Sequence, residues 1–229
     1  MPSLRFSQAG RNLYCLPAID YAQVFIAFIV LLFSLTVHET AHAWTADRLG
    51  DPTARLLGRV SLNPVVHADP IGTVLFPLLS MISGLPLIGW AKPVPVNVAR
   101  LRRPRADYVL VAAAGPASNM VIAIVASLAL ALMPVAPETV GGSEVAAPLV
   151  ALFSRALLLN VLLAVFNMLP IPPLDGGNVL SGLLPRAIGE QYDRLIRPYG
   201  FILLYALMFT GGFNYLVLRP ARLILSWLQ

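Results

Sequence analysis

Phe33-Ser-Leu-Thr-Val-His-Glu-Thr-Ala-His-Ala-Trp44 closes an apolar run that begins near Tyr21. In an α-helix, His38 and His42 stand four residues apart on one face. Two imidazoles so placed can bind one metal ion. Glu39 lies beside that face, where a carboxylate can polarise a metal-bound water. The helix that carries these polar groups is greasy enough to lie in hydrocarbon, so the stretch predicts both a metal centre and a membrane setting for it.

Composition agrees with the setting. Of 229 residues, 58% are hydrophobic and 12% charged, where globular domains have about 45–50% and about 25%. Mean hydropathy is +0.76. Apolar runs cover 21–46, 69–90, 107–134, 147–169 and 198–213, several of them near the roughly 20 residues that span a bilayer. The predicted fold is an all-α polytopic membrane protein, a single domain over 1–229, with a bundle of about four to six transmembrane helices. The net charge of +5 comes from basic residues in loops between apolar runs. That pattern suits membrane orientation and excludes nucleic acid as the partner. Cys15 is the one cysteine, which rules out a disulfide framework and a thiolate metal site. The first apolar run leads straight into the His-Glu motif, so it is expected to be retained rather than cleaved.

Charge also predicts the topology. Loop 92–105 carries Lys92, Arg100, Arg102, Arg103 and Arg105, and Arg48, Arg55 and Arg59 follow the His-Glu helix. Loop 138–144 has acidic residues alone. Positive residues collect on the cytoplasmic side, so 107–134 and 147–169 form a hairpin with its acidic tip outward. Both ends of 69–90 then lie inside, and this run, broken by Pro70, Pro77 and Pro86, dips in and returns as a re-entrant segment. The prolines that follow make a short β-like stretch near 93–97. The segment 214–229 carries Arg219, Pro220 and Arg222 and suits an interfacial helix.

A catalytic zinc takes three protein ligands and leaves a place for water. Thr45 and Arg48 stand where a metzincin has Gly and His, which excludes that class. Asp47, Asp51 and Asp107 fall in basic loops expected to be solvated, and Glu190 and Asp193 lie among arginines. Asp175, in Asn167-Met-Leu-Pro-Ile-Pro-Pro-Leu-Asp-Gly-Gly-Asn178, follows the inner end of 147–169. A carboxylate there is a functional candidate. It reaches the histidines if helices 21–46 and 147–169 run parallel, which again requires 69–90 not to cross.

The chain resembles the site-2 proteases, intramembrane zinc metalloproteases, in their compact form without PDZ or CBS domains. The likeness runs through His38–His42, Ala43-Trp-Thr-Ala-Asp47, Gly50-Asp51-Pro52, Gly58-Arg-Val-Ser-Leu-Asn-Pro64 and His67-Ala-Asp-Pro-Ile-Gly72. It continues through Pro93-Val-Pro-Val-Asn97, Gly115-Pro-Ala-Ser-Asn119 and Leu174-Asp-Gly176. The family's more usual Asn-Pro-x-Asp-Gly reads Pro172-Pro-Leu-Asp-Gly here. The resemblance implies His38, His42 and Asp175 as ligands of one Zn2+ per chain, with Glu39 as general base. It places Asn119 and His67 near the active site, as candidates for oxyanion donor. Val94, Val96 and Asn97 lie in a segment that can pair with an unwound substrate strand.

The activity so implied is endopeptidase cleavage of another protein's transmembrane segment near the cytoplasmic face. The expected partners are that substrate, intact or already cut by another protease, and the lipid bilayer of the cell membrane. Other readings stand beside these. His67 suits a turn, Asn119 an interhelical bond, 93–97 an exposed loop and Asp175 a helix cap. As a whole, the alternative is a non-proteolytic metal-binding membrane protein, a transporter or a pseudoprotease. A transporter spreads polar groups along a pathway, and a pseudoprotease loses its base or a ligand; this chain clusters its polar groups and keeps all four residues.

Overall fold

The computed structural model describes residues 20–83, 89–133 and 146–229. Helix α1 (Tyr21–Arg48) starts where the Asp20 carboxylate accepts the Gln23 amide, a side-chain N-cap. Its 28 residues give about 42 Å of helix, more than the roughly 30 Å of hydrocarbon. Short α2 (Thr53–Leu56) and α3 (Pro64–His67) follow, then a π-helical turn (Pro70–Leu75) running into α4 (Phe76–Ser83). Next come α5 (Pro104–Leu132), α6 (Ala146–Asn167) and α7 (Asp175–Leu183). The chain ends with α8 (Arg186–Ile196), α9 (Gly200–Phe209) and α10 (Arg219–Leu228).

Helices α1, α5 and α6 form the centre, and their polar contacts fix their directions. Along α1, Ser34 meets Asn160 of α6, His38 meets Asn119 of α5, and His42 meets Val111 earlier in α5. Helix α5 is therefore antiparallel to α1. Helix α6 runs parallel to α1, because Asp175 beyond its end meets His38 and His42. This is the arrangement that the ligand argument required.

The run 69–90 comes back to where it starts. The apolar helical stretch Pro70–Ser83 covers about 21 Å, too little to cross. The Trp90 amide then donates to the Gly72 carbonyl (3.0 Å), and the Thr73 hydroxyl donates to the Trp90 carbonyl (2.8 Å). The Trp90 indole covers Gly72, where a Cβ would stand 2.3 Å from the ring, and meets Phe76 edge-on. Residues 84–88 of this run lie outside the described residues, as do Cys15 and the loop 138–144 expected to be an acidic tip.

No strand is assigned among the described residues. The stretch near 93–97, expected to be β-like, is tied down by separate bonds instead of a ladder. The Lys92 amide reaches the His67 carbonyl (2.8 Å), Val94 reaches Glu39 (3.0 Å) and Asn97 reaches Asp51 (2.6 Å). Pro93 and Pro95 have no N–H to give.

Among the described residues, three helices are long and apolar enough to cross a membrane: α1, α5 and α6. The pair Arg186–Phe209 and Asn214–Leu228, bent by 85°, counts as a fourth only if it is one span. The expected four to six is therefore not confirmed among the described residues, since α4 is short and α9 stops after ten residues. The C-terminal segment is also not an isolated interfacial helix. Phe213 packs on Phe166, Ala221 joins a core with Ala123, Ala126, Leu157 and Val161, and the Leu228 carbonyl accepts from Ser127. It lies antiparallel along α6. Its cations stay on the outer face, Arg219 over the Tyr215 ring and Arg222 on Asn214.

Candidate metal centre

His38 and His42 project from one face of α1, ring edge to ring face. Each Nδ1 is engaged from behind. His38 Nδ1 is 2.6 Å from Asn119 Oδ1, and His42 Nδ1 is 2.7 Å from the Val111 carbonyl. Both partners are acceptors, so each Nδ1 carries a proton and donates it. In the neutral ring this leaves the lone pair on Nε2, the tautomer of a metal-binding histidine.

The two Nε2 atoms stand 3.0 Å apart. Asp175 Oδ2 is 3.1 Å from His38 Nε2, and Oδ1 is 3.4 Å from His42 Nε2. Oδ2 is buried and accepts no hydrogen bond. The three side chains thus turn electron-pair donors toward one point. Bond lengths of 2.0–2.1 Å around a tetrahedral zinc would space its ligands about 3.3 Å apart, which matches the three distances. The donor set of two imidazoles and a carboxylate also suits zinc. His38, His42 and Asp175 are the one such cluster among the described residues.

Close backbone approach makes room for this point. A Cβ on Gly115 of α5 would lie 2.4 Å from His42 Nε2 and 2.6 Å from His38 Nε2, so only glycine leaves the space open. Asp175 is the first residue of α7, a position that the helix dipole favours for a carboxylate. Gly176 sits on the carbonyls of Met168 and Leu169, where a Cβ would stand 2.3 and 2.4 Å away. This contact folds α7 back against the end of α6 and turns Asp175 toward α1.

Glu39 shares a cavity of about 250 Å³ with the two histidines and Asp175; Val94, Val96 and Tyr108 also line it. The Val94 amide donates to Glu39 Oε2 (3.0 Å) and holds that oxygen in place. Asn97 contributes a tether, its amide fixed by the buried carboxylate of Asp51.

Asn119 stands behind His38, fully buried, and its amide is spent: Nδ2 donates to Asn160 Oδ1 (2.9 Å) and toward the Ser34 carbonyl (3.4 Å). It holds the His38 ring and has no donor left for an oxyanion. His67 is buried against α1, with Nε2 on the Ser61 carbonyl (2.8 Å) and near Thr40 (3.4 Å). Its Nδ1 is buried without a partner.

The sequence reading did not single out Asn160, Tyr108 or Gly115's contact with the ligands. Asn160 had a signal, a lone amide within an apolar helix, which membrane proteins keep for interhelical bonds. Asp51 and Asp107, expected in solvated loops, are 0% and 1% exposed. Asp51 binds the amides of Thr53 and Asn97, and Asp107 takes the amide and guanidinium of Arg103.

Residues 134–210, a stretch that includes Asp175, match peptidase family M50. The chain is 38% identical over 192 residues, 82% of either protein, to "Putative zinc metalloprotease YwhC" of Bacillus subtilis (strain 168). It is 30% identical over 205 residues to "Putative zinc metalloprotease Rip2" of Mycolicibacterium smegmatis, covering 86% of this chain and 71% of the relative. Identity to Rip2 of Mycobacterium tuberculosis is 32% over 190 residues, 82% of this chain and 68% of that one. No solved structure matches the chain.

Proposed function

The chain belongs to peptidase family M50, the site-2 protease zinc metalloproteases, and on that premise we propose that it cuts a transmembrane segment of another membrane protein near the cytoplasmic face. The observation that carries this reading is the convergence of His38 Nε2, His42 Nε2 and Asp175 on one point with Glu39 beside it, all within a bundle of apolar helices.

His38, His42 and Asp175 hold one zinc per chain. When bound, the ion supplies a Lewis acid that polarises a carbonyl and lowers the pKa of a coordinated water to about 7. The Val94 amide keeps Glu39 Oε2, which leaves Oε1 to take the proton from the attacking water. As the water oxygen bonds to the scissile carbon and the C–N bond breaks, Glu39 passes that proton to the leaving amine. Asn119 and Val111 hold the histidine rings in their ligating tautomer throughout.

A substrate helix must unwind before its amides are accessible. Segment 93–97 then receives it in extended form, with Val94 and Val96 facing the cavity and Asn97 anchoring the segment to Asp51. Pro93 and Pro95 lack N–H groups and the Val94 amide is engaged, so this edge offers carbonyl oxygens to the substrate's amides. His67 steadies the start of this segment, its carbonyl accepting the Lys92 amide. Helices α1, α5 and α6 and the bent C-terminal pair cross the cell membrane, and Pro70–Ser83 re-enters it. Lys92, Arg100, Arg102, Arg103 and Arg105 precede or begin α5 at the end where His42 and Asp175 meet, a charge pattern that supports an active site toward the cytoplasm. The substrate arrives intact or shortened by an earlier cut.

The test uses purified protein in detergent with a model transmembrane substrate, with and without chelator. Cleavage should stop on chelation and return with added zinc. Glu39→Gln should lose cleavage while zinc stays bound; undiminished cleavage by this variant would sink the mechanism.

A further inference from the structure

Behind His38 lies a chain of polar groups buried among α1, α5 and α6. Ser34, Asn119 and Asn160 are all 0% exposed. An amide side chain can turn either way, so which of its ends faces His38 is settled by what lies beyond it. Asn160 Nδ2 donates to the Ala156 carbonyl (2.8 Å) and to Ser34 Oγ (2.8 Å). A backbone carbonyl can only accept. The Ser34 hydroxyl has already given its one proton to the Val30 carbonyl (2.7 Å), so it also accepts. Both Asn160 protons are thereby committed, and its Oδ1 must face Asn119.

The same reasoning applies one residue further on. Asn119 Nδ2 has Asn160 Oδ1 and the Ser34 carbonyl before it, both acceptors. Its Oδ1 is left toward His38 Nδ1, which must then hold a proton. Turning either amide over would set donor against donor or acceptor against acceptor in a buried site, an arrangement that costs the desolvation of each unmatched group.

We infer that Asn160 is a positioning residue for metal binding: through Asn119 it transmits the polarity of the Ala156 carbonyl to His38 and fixes the tautomer that leaves His38 Nε2 free for the ion. This inference rests on the metalloprotease reading, but it concerns which nitrogen carries the proton, a property of the protein without metal or substrate.

The experiment reads two quantities, the His38 tautomer from ring nitrogen shifts in metal-free protein labelled with ¹⁵N-histidine, and zinc affinity by chelator competition. Asn160→Leu keeps the bulk and removes the acceptor. It should give a mixed His38 tautomer and weaken zinc binding by about tenfold, the lower end for groups behind a metal ligand. Asn160→Asp keeps an oxygen toward Asn119 and, protonated by its apolar surroundings, a donor toward Ala156; it should restore both readings. Ser34→Ala leaves the Ala156 carbonyl in charge and should also read as wild type. If Asn160→Leu does not fold, Asn160→Ala is read in its place. A wild-type tautomer and affinity in the Leu or Ala variant overturns the inference, as does an Asp variant that is equally defective. Either result leaves the protease reading intact, since that reading stands on Glu39→Gln and substrate cleavage.

Discussion

Gly115→Ala adds one methyl group where α5 faces the two histidines of α1. The new carbon would lie 2.4 Å from His42 Nε2 and 2.6 Å from His38 Nε2, where non-bonded atoms rest about 3.5 Å apart. Each contact is therefore about 1 Å too close. The methyl crowds the two nitrogens that an ion would have to approach to 2.0–2.1 Å. Relief requires α1 and α5 to move apart or the rings to turn, and turning breaks the bonds to Asn119 and Val111. Overpacking of this kind costs about 1–3 kcal/mol. If that cost falls on the metal-bound state, affinity drops about 5- to 150-fold, since 1.4 kcal/mol is a factor of ten. Chelator competition gives the affinity, and circular dichroism checks that the helical content is kept. A folded Gly115→Ala protein that binds zinc within twofold of wild type would refute the assignment of this space to the ion.

Asp175→Ala should remove the third ligand and lower zinc affinity by at least tenfold, measured by metal content after dialysis against graded chelator; full retention would show that another group completes the site. Asp51→Ala leaves the amides of Thr53 and Asn97 without their buried acceptor, a loss of about 1–3 kcal/mol. It should raise KM for a transmembrane substrate and speed hydrogen exchange at Val94 and Asn97 with zinc content unchanged, and an unaltered KM would remove this segment from substrate binding. Trp90→Ala strips the cover from Gly72 and the partner from Phe76. It should open the hairpin to limited proteolysis near Pro70–Ser83, and an unchanged cleavage pattern would show that Trp90 does not hold the hairpin closed.

What the sequence disclosed depended on whether the deciding geometry is local. His38, Glu39 and His42 are readable because helical period alone relates them. Asp175 could be placed because loop charges constrain which helix ends share a side. Asn119 was legible as a residue near the site but not in its role, since an amide offers a donor and an acceptor and only its neighbours select one. Asn160 escaped a search directed at ionisable groups. Asp51 and Asp107 look like solvated loop residues until it is known what packs over them. Asp107 takes the amide and guanidinium of Arg103, four residues before it, and Asp51 takes the amides of nearby Thr53 and distant Asn97, so the burial rather than the partner was the hidden part. The C-terminal arginines suggested an interface, but the small Ala221 between them lets the opposite face pack on α6.

The separation of the three proposed metal ligands along the chain also sets an order of events during synthesis. Both histidines lie in the first helix, and their carboxylate partner comes 137 residues later (175 − 38). At about 5–20 residues per second, the ribosome needs roughly 7–27 seconds to cover that distance. A nascent chain with only α1 in the membrane has the base and two imidazoles but neither Asn119 to orient His38 nor Asp175 to complete the set. On the proposed assignment, cutting power arrives only when α5, α6 and α7 have closed around α1, and the growing polypeptide passes through insertion as a protease that cannot yet act.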